Sequence, residues 1–212
     1  CHGGERVCFA PAVVAVFGVF LKDFVMHDAT RIIAIRHGET DWNVETRMQG
    51  HTDIPLNATG RWQAQCVAND LADEDISTLY TSDLTRAHAT ALAIAARVPS
   101  RTVIPTTGLR ERGFGVFEGK TYAQLDAEAP EAARRWRQRD VDFAPEGGET
   151  LVQLRERIAR TVDALASQHG GEQIVLVAHG GVLDTLYRLA TGQDMTVHRT
   201  WDLGNARINR LL

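Results

Sequence analysis

The chain has 212 residues, 44% hydrophobic and 24% charged, which fits one large soluble domain that can bury a core without disulfides. Its formal net charge of -4 offers no general attraction to polyanions, which argues against nucleic-acid or membrane partners and makes any phosphate binding a local matter. Cys1, Cys8 and Cys66 form no CxxC pair, and Cys66, set among Ala64, Val67 and Ala68, reads as a buried core thiol of a cytoplasmic protein.

The apolar run Val7 to Leu21 is shorter than the roughly 20 residues that span a bilayer, and no small-x-small cleavage site follows it before Lys22 and Asp23. Residues 1–29 are therefore expected to be an upstream or non-native extension, with Met26 as a simpler start, and residues 30–212 to be the catalytic domain. Arg31 to Ile35 (RIIAI) suits a fully buried parallel strand and stops at Arg36-His37-Gly38. Ala64, Val67, Ala68 and Leu71 mark one face of a helix within Asn57 to Ala72. Ile76 to Tyr80 reads as a second strand, and Ser82 as the N-cap of a helix over Asp83 to Arg97 that places Arg86 in its first turn.

A third strand is expected at Thr102 to Ile104. Gly113, Gly115 and Gly119 then make LRERGFGVFEGK a loop, and Thr121 to Asp140 is helical in pattern. Thr150 and Gln153 form a capping box for a helix with an apolar stripe of Leu151, Leu154, Ile158, Val162 and Leu165, ended by Gly170-Gly171. Ile174 to Ala178 (IVLVA) is the clearest buried strand, and it too stops at histidine, in His179-Gly180-Gly181. Arg207 to Leu212 gives a last strand. Strands alternating with helices imply a three-layer α/β/α sandwich around a mostly parallel sheet, whose ligands gather at the carboxyl ends of the strands.

Phosphoryl transfer needs fixed positive donors, a nucleophile and a proton donor for the leaving oxygen. Arg36 and His37, Arg86 at a helix start and His179 could supply such a set. On a wider span the chain resembles a known family. RHGETDWN (Arg36 to Asn43), RMQG (Arg47 to Gly50), SDLTRAHATA (Ser82 to Ala91), LRERGFGVFEG (Leu109 to Gly119) and AHGG (Ala178 to Gly181) look like the ordered motifs of the histidine phosphatase superfamily, over about residues 31 to 212. The resemblance implies a phosphoglycerate mutase-like fold and a phosphohistidine intermediate on His37. It implies Arg36, Arg86 and His179 on the nonbridging oxygens, with Gly38, Asn43, Gln49, Gly50 and Gly180 as further phosphate contacts. Glu111 matches the acid/base carboxylate.

Plainer readings accompany these. His37 and His179 could be satisfied core histidines at strand ends, Arg86 could pair with Asp83, and Asn43 could cap a turn. Glu118 could reach the pocket as well as Glu111, and only the motif separates them. Glu149 could assist the site or only favour a helix N-terminus. Arg134, Arg135, Arg137 and Arg139 around Trp136 could cap the site but read better as a solvated face. His51, His88, His169 and His198 lack the spacing of zinc ligands, so no metal is expected. The family's mutases carry a longer segment where this chain has only Lys120 to Glu146, and GFGVFEG and RMQG resemble the phosphatase branch, so the resemblance implies a phosphatase of a small phosphorylated metabolite over a mutase. A mutase would need 2,3-bisphosphoglycerate to prime His37, whereas the hydrolase needs no cofactor. A silent phospho-ligand binder would have no use for His37, Glu111 and His179 together. The sequence leaves the oligomeric state open.

Overall fold

A computed structural model describes residues 29–98 and 102–211; the extension expected at the N-terminus lies, apart from Ala29, outside the described residues. Strand β1 (Arg31–Arg36) leads into a single-turn helix α1 (Asp41–Val44), helix α2 (Ala58–Asp70), strand β2 (Thr78–Ser82), helix α3 (Thr85–Ala95) and strand β3 (Val103–Thr106). Helices α4 (Tyr122–Glu128), α5 (Pro130–Arg137) and α6 (Leu151–Ala166), strand β4 (Gln173–Ala178), helix α7 (Gly180–Thr191) and strand β5 (Ile208–Leu211) follow. The sheet runs β3-β2-β4-β1-β5, with β5 antiparallel to β1 and the other pairings parallel.

Alternation along the strands builds two cores. Ile33 and Ile35 of β1 join Val175 and Val177 of β4 against Val67, Ala87, Ala91 and Ile94 of α2 and α3. Ile32 and Ala34 face the other way, with Ile174 and Leu176, onto Leu154 and Ile158 of α6 and Val182 and Leu186 of α7. Burial on both faces is why RIIAI and IVLVA are unbroken apolar runs, each large aliphatic side chain contributing roughly 1.5–3 kcal/mol. A third cluster, Met48, Phe117, Leu125 and Ala133 with Trp136 and Phe143 packed on it, lies outside the sandwich and holds α4 and α5.

The sandwich and the α6 capping box match expectation, with Thr150 Oγ1 accepting from Gln153 N and Gln153 Oε1 accepting from Thr150 N. Six local readings are corrected. Strand β2 begins at Thr78 because its ladder with β4 starts there, while Ile76 is a fully buried core residue ahead of it. Helix α3 begins at Thr85 after Leu84, not after Ser82; Asp53, from a distant loop, accepts from the Thr85 N–H and hydroxyl. Strand β3 runs to Thr106 through Pro105, which an edge strand tolerates. The segment 121–140 is two helices, because Pro130 at the first turn of α5 lacks the N–H to continue α4. Helix α6 stops at Ala166, before the glycines, and Cys66 is half-buried at the edge of the apolar face of α2.

Candidate active site

Strands β1 and β4 are neighbours in register, Arg36 opposite Ala178, so their ends release His37 and His179 side by side. The His37 N–H donates to the Ala178 carbonyl at 2.9 Å, and the two imidazole centroids lie 5.1 Å apart. Both rings are buried. His37 Nδ1 lies 2.7 Å from the Gly38 carbonyl, which can only accept, so Nδ1 carries the proton and Nε2 is left as the basic nitrogen. Burial, and then the charges of Arg36 and Arg86, hold His37 well below the ordinary histidine range. His179 is lowered in the same way by burial, then by Arg86, His37 and Arg36. Both imidazoles are thus neutral.

The loop after β1 is fixed by a close backbone approach. A Cβ on Gly38 would stand 2.4 Å from the Gly60 carbonyl oxygen, so side-chain-free residues let the start of α2 press against the histidine loop. Gly38 N–H is committed to Thr90 Oγ1 at 3.1 Å, so this glycine serves the site through its carbonyl. Asn43 sits in the capping box of α1, its side-chain oxygen accepting from Thr40 and from Asn205, which leaves only its NH2 for a ligand.

Arg86 is fully buried and donates to the carbonyls of Thr52 and Gly50, at 2.9 and 2.8 Å; Asp83 instead pairs with Arg110. Arg36 donates to the Leu203 carbonyl at 2.6 Å. Arg36 Nε, Arg86 Nε, Gln49 Oε1 and both ring nitrogens of His179 are buried with no hydrogen-bond partner among the described residues. Buried polar groups of this kind are costly unless a ligand satisfies them, and two guanidinium groups among them suit an anion. Gly50 holds the loop through its carbonyl and a left-handed φ of 53°. Gly180 opens α7 beside the cluster, its Cβ position 3.7 Å from Arg36 Nε and 3.8 Å from Glu111 Oε2.

Glu111 completes the group. Its carboxylate accepts from Gly181 N at 3.0 and 3.1 Å, at the N-terminus of α7, and from Arg112 N at 2.9 Å. Its carbonyl accepts from His51 Nε2 and from Arg157. Glu118 is occupied elsewhere: its oxygens accept from the N–H groups of His51, Phe114 and Thr52 and from the Thr52 hydroxyl. Glu149 accepts from Gly113 N and pairs with Arg157, bracing the glutamate loop from behind. Of the arginine run, Arg134 and Arg135 pair with Glu131 and Asp140 on the surface, while Arg137 and Arg139 also border a cleft of about 590 Å³ beside Gly180 and Gly181. Sequence reasoning gave no site role to Thr90, His51, Arg157 or Asn205, because each reaches the site only through hydrogen bonds across the fold. Tyr122 and Trp136 wall the cleft, and Leu151 and Leu154 line it.

The histidine phosphatase superfamily (branch 1) profile matches residues 32–212. The chain is 43% identical over 166 residues to phosphoglycerate mutase-like protein 4 of Arabidopsis thaliana, covering 77% of this chain and 72% of that one. It is 39% identical to the glucosyl-3-phosphoglycerate phosphatase of Mycobacterium tuberculosis, covering 74% of each. It is 37% identical to the metal-independent phosphoserine phosphatase of Arabidopsis thaliana, covering 77% of this chain and 69% of that one. Among solved structures, Bacillus stearothermophilus YhfR superposes with a TM-score of 0.80 at 31% identity, over 86% of this chain and 90% of that one. The ordered motifs, the sandwich and the paired strand-end histidines therefore have one source: the chain belongs to the histidine phosphatase superfamily.

Proposed function

We propose that the protein is a metal-independent phosphatase of a small phosphorylated metabolite, working in the cytoplasm through a phosphohistidine on His37. The observation that carries this is the fixed tautomer of His37, neutral and basic at Nε2, among buried arginine and histidine donors. Nε2 attacks phosphorus while Arg36, Arg86 and His179 hold the nonbridging oxygens, the bond to the alcohol oxygen breaks, and Glu111 gives that oxygen its proton. Water then attacks the phosphohistidine, Glu111 takes the water proton, and inorganic phosphate leaves with His37 restored. Gln49 and the Asn43 NH2 serve as neutral phosphate contacts. The names of the phosphatase relatives support the hydrolase reading, and one of them is called metal-independent.

The test is phosphate release from a panel of phosphomonoesters in EDTA. The native protein should hydrolyse some of them, and His37→Ala should lose release by at least about a thousandfold. Acid-labile labelling of the native protein by a radioactive phosphoester, absent in His37→Ala, would mark the intermediate. Conversion of 3- to 2-phosphoglycerate that depends on 2,3-bisphosphoglycerate, with no net release, would overturn the reading in favour of a mutase.

A further inference from the structure

We propose that Gln63 is a positioning residue for His37: acting through the one peptide that joins Gly38 to Glu39, its side-chain oxygen locks the imidazole in the tautomer that leaves Nε2 free. This rests on the phosphatase reading above, which supplies the nucleophile that the lock serves. Gln63 lies on α2, half-buried, one turn after Gly60, and carries no charge.

A single amide makes the connection. The Gly38 carbonyl lies 2.7 Å from His37 Nδ1, and on the far side of the same peptide the Glu39 N–H donates to Gln63 Oε1 at 2.8 Å. An N–H can only donate, so the glutamine must turn its oxygen, not its NH2, to this peptide. Hydrogen bonds at the two ends of an amide polarise one another, and the bond to Gln63 therefore makes the Gly38 carbonyl a stronger acceptor for Nδ1–H. The gain is largest when Nε2 attacks phosphorus, because the ring then takes up positive charge and Nδ1–H becomes a charge-assisted donor.

Gln63 also opposes a flip of that peptide. Rotation at Gly38 and Glu39 would swing the carbonyl away from Nδ1 and bring the N–H toward it; Nδ1 would then have to accept, the ring proton would sit on Nε2, and the nucleophile would be lost. Glycine at position 38 leaves such a rotation sterically cheap. With Gln63 in place the flip would set the peptide carbonyl against Oε1, oxygen facing oxygen. The rest of α2 backs the same segment: a Cβ on Gly60 would stand 2.6 Å from Glu39 N, and Asn57 donates its N–H to the Glu39 carbonyl at 3.0 Å and its Nδ2 to Glu39 Oε1 at 2.9 Å. Thr90 takes the Gly38 N–H. Thr90 and Asn57 thus fix the peptides before and after, and Gln63 fixes the one that meets the imidazole.

The test reads tautomer and rate in the same proteins. With histidine labelled by nitrogen-15, the ring nitrogens of His37 are distinguished by chemical shift, and their signals are those that His37→Ala removes. The native protein should show Nδ1 protonated and Nε2 bare. Gln63→Met keeps the length of the side chain without its acceptor. It should move part of the His37 population to the Nε2–H tautomer and lower kcat/KM for p-nitrophenyl phosphate in EDTA by roughly tenfold, with inhibition by inorganic phosphate changed by less than about twofold. Gln63→Ala serves as a second loss of the acceptor should the methionine variant not fold. Gln63→Glu still offers an oxygen and should recover the native tautomer and most of the rate. A His37 spectrum unchanged in the loss variants, whether or not their melting temperature falls, overturns the proposal and leaves the phosphatase reading intact. So does a tautomer that Gln63→Glu fails to restore. A native protein that hydrolyses no ester overturns the phosphatase reading and, with it, the part of Gln63 in catalysis.

Discussion

Gly181 donates one N–H to both carboxylate oxygens of Glu111, at 3.0 and 3.1 Å, so the helix that follows His179 also fixes the carboxylate proposed as the acid for His37. A Cβ on Gly181 would stand 2.4 Å from Glu111 Oε1. Gly181→Ala should therefore push the carboxylate aside without harming α7, where alanine is the better helix former. The expected result is a fall in kcat on the order of 10- to 100-fold with little change in melting temperature, read by steady-state kinetics and thermal denaturation.

Glu111 and Glu118 should separate cleanly. Glu111→Gln removes a transferable proton and should lower kcat by roughly 10²–10⁴-fold while leaving the fold intact. Glu118→Gln turns an NH2 group toward N–H donors that its carboxylate now satisfies, and should cost roughly 1–3 kcal/mol of stability by urea denaturation. A stable Glu118→Gln with chemistry lost, beside an active Glu111→Gln, would reverse the assignment.

The two neutral histidines set a pH dependence of stability. Burial and the neighbouring arginines hold both below their unfolded value near 6.5. Above that pH neither state binds the protons, and the stability is fully present. As pH falls below it, the unfolded chain takes up protons that the native site refuses, and stability is lost by up to about 1.4 kcal/mol per pH unit for each histidine. Urea midpoints should fall between pH 7.5 and 5, and His179→Gln should flatten the decline. Equal slopes in both proteins would count against a neutral buried His179.

Asp184 is the single carboxylate between Arg139 and Arg188, and Arg188 also binds the carbonyls of Asp194 and Val197. Asp184→Ala leaves a buried guanidinium without its counter-charge and should destabilise by roughly 3–5 kcal/mol. Chemical denaturation would measure this directly; a change below 1 kcal/mol would mean that the carbonyls alone satisfy Arg188.

What the sequence carried openly was local. RIIAI and IVLVA are apolar without a break and end abruptly at histidine, so strand, burial and exit point lie within a few residues of one another. The same holds for Thr150 and Gln153, where donor and acceptor are one turn apart. Features that the sequence left misread, ambiguous or unread have partners far away. Ser82 has the right chemistry for a cap, but Asp53 arrives from another loop to take the Thr85 N–H. Glu111 and Glu118 look alike in a glycine-rich stretch, and only the fold shows which one the backbone of residues 51 and 52 has already claimed. Asn205 lies in no motif, yet it donates to the His37 carbonyl and to Asn43.

The bond from Asn205 to the His37 carbonyl spans 168 residues, and the bond from Arg36 to Leu203 spans 167. Among the described residues strand β1 pairs with β4 and β5, both made late in translation. His37, the proposed nucleophile, is thus among the first described residues to leave the ribosome and among the last to be set in place, because its neighbours in the sheet and the loop behind it do not yet exist. A growing chain would carry His37 exposed, without its arginine and histidine surroundings, and chemically idle. On the phosphatase reading, reactivity toward phosphate esters is in this sense a property of the assembled sheet and not of any single motif.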